Sequence, residues 1–267
     1  MKEKKTAPEK SKPFLTGAPT DENTVKQALK FFGMMLLIIF MSFLVCSMTG
    51  FNSRILSIIV NLAVEGLILL VVYTKGADLG TDGVVRGEIL YQHIQKGIDA
   101  AESEKRIPFN KMKGFIIGLL GSALFLVFAI LLAVTTKKQM TGAGVLPSWT
   151  EGFIRRSEFR NALAQYIQPS GITFTDIMRI LVRMMLMPFV SMVGADNTDI
   201  MLVLERISPL LVLFAPAAYG AGYLTGPARR RRVHTEIAKN TRKRIMKEKK
   251  EQKARRTIAL KEPKQLN

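Results

Sequence analysis

ISPLLVLFAPAAYGAGYLTGPARRRR, residues 207–232, joins an uncharged apolar run, Ile207 to Leu224, to four consecutive arginines. A run of that length approaches the ~20 residues a helix needs to cross a bilayer. An arginine cluster directly behind it is what a spanning segment shows where it emerges on the cytoplasmic side. Three more stretches have the same character: Phe31 to Met48, Ile55 to Tyr73 and Phe115 to Val134. The expected fold class is therefore all-α, a polytopic helical membrane protein with about four transmembrane helices plus interfacial amphipathic helices.

Charge orients those spans. From Arg229 to the C-terminus there are sixteen Lys or Arg against four Glu, a net +12 of the chain's +18, and the first thirty residues add seven Lys against four acids. Both termini are thus expected in the cytoplasm, in an integral plasma-membrane protein, and two inside ends require an even number of crossings. A fifth apolar stretch, Ile177 to Val193, carries Asp176, Arg179 and Arg183 along one edge, and each charge at bilayer centre would cost about 3 kcal/mol. Four crossings put that stretch outside, lying on the membrane or dipping into it.

The resulting division is a disordered basic cytoplasmic N-terminus at 1–28, a two-span transmembrane hairpin at 29–73, and a cytoplasmic loop with an amphipathic helix at 74–113. A third span follows at 114–135, an extracytoplasmic interfacial or re-entrant helical hairpin at 136–206, a fourth span at 207–225, and a polybasic tail at 226–267. Gly76, Gly80 and Gly83 at the head of the inner loop suggest a flexible turn; they lack the Lys and the strand–loop–helix setting of a phosphate-binding loop. In the outer connection, Ser148 and Glu151 fit a capping box that brackets the lone Trp149, and Gln168-Pro169 ends that helix.

Four groups of residues invite function. Arg54, Ser57, Asn61 and Glu65 fall along one face of the second span. A carboxyl at membrane depth reads either as an ion or proton site centred on Glu65 or as a neutral, hydrogen-bonded group that joins helices. Gly114, Gly118 and Ser122 in the third span are a small-residue face for close helix packing. On the charged edge Asp176, Arg179 and Arg183, the two arginines either meet lipid phosphates or pair with acids such as Asp176, Asp196, Asp199 or Glu205. Arg229, Arg230, Arg231 and Arg232 are candidates for binding an anionic surface. Pro209 and Pro216 bend the last span, while His93 and His234 read as solvated side chains and the single cysteine, Cys46, as a small buried residue.

No paired acids, His–Glu metal motif or nucleophile with a base lies at common depth, so a non-enzymatic role is expected, with no cofactor and no metal. The leading expectation is a subunit or scaffold of a membrane complex. Its partners would be the bilayer and its anionic headgroups, other membrane subunits or further copies of itself, and, through the tail, a cytoplasmic partner that includes the ribosome or other RNA. The alternatives are a channel or transporter component using the polar stripe of the second span, and a biogenesis factor that docks ribosomes.

Overall fold

A computed structural model of the chain describes residues 13–48, 54–136, 174–194 and 197–261. All regular secondary structure there is helical: α1 (Glu22–Met48), α2 (Arg54–Gln95), α3 (Glu102–Arg106), α4 (Lys113–Thr135), α5 (Phe174–Met185), α6 (Met187–Val193), α7 (Thr198–Val212), α8 (Phe214–Leu224) and α9 (Gly226–Lys261). Four stretches are long and apolar enough to cross a membrane: α1, α2, α4, and the nearly continuous rod that runs from α7 through α8 into α9. The expected helix around Ser148 and Gln168 lies outside the described residues.

Helix ends follow local chemistry. Asp21 and Thr24 cap α1 reciprocally: the Asp21 N–H donates to Thr24 Oγ1 at 2.8 Å and the Thr24 hydroxyl donates to Asp21 Oδ1 at 2.6 Å, which satisfies donors that a helix start leaves open. The rod bends at Leu213 because Pro216 offers no N–H to the Val212 carbonyl one turn back. Pro209 opens a similar gap above Glu205, and Ser208 fills it by donating to the Glu205 carbonyl at 2.7 Å.

Two expectations need correction. The glycines read as a flexible turn lie inside α2, which runs unbroken for 42 residues, about 63 Å at the helical rise. Their missing side chains let another backbone approach. A Cβ at Gly76 would strike the Tyr219 carbonyl, one at Gly80 the Tyr223 carbonyl, one at Gly222 the Tyr73 carbonyl and one at Gly226 the backbone of Gly80. The result is a parallel seam between α2 and the α8–α9 rod. A rigid small-residue groove offsets the helix propensity that glycine costs, about 1 kcal/mol per residue.

The N-terminal segment expected to be disordered is, from Pro13 onward, packed. The Gly17 N–H donates to the Phe109 carbonyl at 3.1 Å, Asn110 Nδ2 donates to the Gly17 carbonyl at 2.8 Å, and Phe14 meets Phe109 edge-on. Phe109 in turn stacks on Tyr223, with ring centroids 5.1 Å apart. This small cluster covers the seam at the end of the bundle where α4 begins. The main core lies further along, where Phe31, Val72, Ile117, Phe125, Val182 and Tyr219 meet.

Candidate functional site

Three polar centres interrupt this apolar body. The first lies where the end of α4 meets the middle of α7. Glu205, 3% exposed, accepts from Arg179 Nε at 2.9 Å and from Arg183 Nη2 at 2.6 Å through Oε1, while the Thr136 hydroxyl donates to its Oε2. Arg179, itself 4% exposed, also donates to Asp176 Oδ1 at 3.2 Å and to Thr136 Oγ1 at 3.1 Å. Of the charged edge predicted from Asp176, Arg179 and Arg183, Arg179 is therefore buried while Asp176 and Arg183 stay partly exposed. Of the two readings of those arginines, pairing with acids is the one the geometry realises, and Glu205 is the carboxylate that ties α5 to α4 and α7. Below this latch α5 continues into the bundle and kinks at Leu186, where Pro188 has no N–H for the Met184 carbonyl. Leu186 belongs to the main core, so the segment packs among the helices.

The second centre is the stripe on α2, and the structure divides its four residues. Arg54 is exposed in the first turn. Asn61 is fully buried; its Nδ2 donates to the Ser57 carbonyl at 2.8 Å and to Ser57 Oγ at 3.2 Å, and Ser57 in turn donates to the Ser191 carbonyl of α6 at 3.4 Å. Asn61 Oδ1 has no hydrogen-bond partner. Glu65, one turn on, is half-buried against a cavity of about 50 Å³ that Ser42 of α1 and Ser122 of α4 also line. Ser42 Oγ is likewise unpartnered, and Cys46, one turn further along α1, is buried as expected. Ser122, from the small-residue face, donates to the Gly118 carbonyl at 2.8 Å. That face is spent inside the molecule: Gly114 lies against the Tyr223 ring and Gly118 against Pro216.

The third centre is the root of the basic tail. Glu88 on α2 accepts from Arg230 Nη2 at 2.8 Å and lies 3.0 Å from His234 Nε2, and Arg229 reaches Asp78 at 2.9 Å. Burial alone would raise the Glu88 pKa, but the hydrogen bonds and charges of Arg230 and His234 outweigh it and hold the carboxyl below its usual value. His234 is thus a partner of Glu88 rather than a solvated side chain, and the arginine quartet splits. Arg229 and Arg230 face α2, whereas Arg231 and Arg232 are exposed.

A related pair closes the other side of the same end. Lys113, the first residue of α4, donates to Asp21 Oδ2 at 2.8 Å and to the Ile107 carbonyl at 2.9 Å. Burial raises the Asp21 pKa, yet the bonds from Lys113 and Thr24 prevail and leave it lowered.

Sequence reading missed Glu88, Lys113, Asp21, Ser42 and Thr136. Ser42 and Thr136 carry no pattern that marks them. Glu88 and His234 are separated by 146 residues, so only the seam's register brings them together. Among the described residues no group of three His, Cys, Asp or Glu is placed to hold a metal ion. Comparison of the chain with protein-family models, with curated proteins and with solved structures finds no match.

Proposed function

We propose that this protein is a non-enzymatic subunit of a membrane complex that presents a fixed basic helix to an anionic cytoplasmic partner. The observation that carries the reading is the tail's construction. At Arg229, Arg230 and His234 it is held to α2 by carboxylates, whereas from Arg242 to Lys253 its basic residues are exposed. A helix polar on all sides has no core of its own to join, and α9, at 36 residues, extends about 54 Å. Fixing the root of such a rod sets the direction in which its charge points. Simple retention of the last span in the bilayer would need only the arginines at its foot. Both termini face the cytoplasm in this arrangement, in keeping with the charge asymmetry.

The test is affinity purification from crosslinked native membranes, comparing the full chain with one ending at Thr235. That truncation keeps the Glu88 contacts and removes the exposed shaft. A partner captured by the full chain, lost from the truncated chain and released as salt rises supports the reading. Equal capture by both chains would refute a role for the shaft, and capture insensitive to salt would refute its electrostatic basis.

A further inference from the structure

The cavity beside Glu65 lies far from the tail root and plays no part in the scaffold role, yet its composition is specific. Its wall is apolar, from Met35, Ile68, Phe125 and Leu186 among others, and no Lys, Arg or His lines it. Into this surround project one carboxyl, that of Glu65, and two hydroxyls, those of Ser42 and Ser122. Ser42 is 5% exposed; its Oγ lies beside the Cys46 thiol, which also feels Glu65, and has no nitrogen or oxygen hydrogen-bond partner. Ser122 spends its proton on the Gly118 carbonyl, so its lone pairs are left to face other groups. Val212 also lines the cavity, and Pro216 supplies no N–H to its carbonyl. Both kinks in the structure thus abut this space, since Leu186 of the α5–α6 break and Val212 of the α7–α8 break lie on its wall.

An ionised carboxylate among apolar helices is costly unless a positive charge meets it. Among the described residues no Lys, Arg or His lining the cavity supplies that charge. The available donors to an incoming group are all oxygens, which suit hard cations. One carboxylate balances one positive charge, and a divalent ion would leave a charge uncompensated. The volume, about 50 Å³, is room for a small ion or a water or two, given roughly 30 Å³ per water. We infer that Glu65, Ser42 and Ser122 form a binding site for one monovalent cation, a proton or a sodium ion, at the meeting point of the two helix kinks. Occupancy neutralises Glu65 and supplies the contact that Ser42 Oγ lacks.

Dicyclohexylcarbodiimide, which permeates apolar regions and adds to a protonated carboxyl to leave an N-acylurea, tests the site on the full-length protein in liposomes. Peptide mass spectrometry reads the modification of Glu65 across a pH series, with Glu65→Gln as the blank. The expected result is labelling that falls as pH rises, with a midpoint displaced by Ser42→Ala and by Ser122→Ala. A several-fold drop on adding sodium chloride, absent with choline chloride, identifies sodium as the occupant; equal response to the two salts identifies the proton. Glu65 left unlabelled at every pH overturns the site. So does a pH profile unchanged in both serine variants, because the carboxyl would then be titrating without them. Ser42→Ala removes no hydrogen bond to nitrogen or oxygen, and its thermal transition, read in parallel, separates an effect on the site from an effect on folding.

Discussion

Glu205 and Glu65 are both carboxylates set in the apolar helical body, and they differ in what surrounds them. Glu205 is met by two arginines and a threonine hydroxyl, so its charge is matched and both oxygens are occupied. Glu65 looks onto a small cavity beside a serine oxygen that nothing satisfies. Burial of a charge is tolerated where partners are built in, and such a network fixes geometry. Where the partners are missing, the protein's own atoms do not complete the site. The contrast separates a carboxylate that holds helices from one that awaits a ligand.

The largest expected effect comes from breaking the completed side. Glu205→Ala leaves Arg179 buried without its main partner and should cost about 3–5 kcal/mol, the range for removing one member of a buried pair. A thermal transition in detergent unchanged from that of the native chain would show that α5 is held by packing alone.

Next in size is the Asp21–Lys113 pair, where Asp21→Asn should cost about 2–3 kcal/mol at neutral pH because Lys113 is left nearly buried. The folded-state pKa of Asp21 is depressed below its ordinary 3.8. Its contribution is therefore complete above that value and fades as pH falls through the lowered one. Melting curves of the native and Asp21→Asn proteins should converge only in strong acid; convergence near pH 6 would contradict the assignment.

The smallest effect should come from the unfinished side. Glu65→Gln keeps the shape and removes the charge, so stability should move by no more than about 0.5 kcal/mol, against the several lost at Glu205. A loss at Glu65→Gln comparable to that at Glu205→Ala would place both carboxyls in the same structural role and erase the comparison.

How much of this was legible beforehand depends on the range of the interactions. The four apolar helices are written in contiguous runs such as Phe31 to Met48, and one segment suffices to see each. The charged edge of α5 was visible from the spacing of Asp176, Arg179 and Arg183, and Glu205 stood among the acids that could meet it. The α2 glycines were misread because an isolated chain segment with Gly76, Gly80 and Gly83 has the composition of a turn, and only Tyr219 and Tyr223, more than a hundred residues away, reveal it as a groove. The segment from Pro13 was misread for a similar reason, since its order comes from Phe109 and Gly87 and not from periodicity of its own. Ser42 offered no signal at all, because a single serine in an apolar helix is ordinary and its missing partner is a property of three-dimensional space.

The glycine seam also sets a timetable. Gly76 waits for Tyr219, which the ribosome adds 143 positions later. At ~5–20 residues per second of synthesis that is roughly 7 to 30 seconds. Throughout that interval the groove of α2 and the carboxylate of Glu88 face whatever surrounds the growing chain. The last apolar segment therefore acts as the closing piece of the assembly, and until it emerges the flank of α2 stays open.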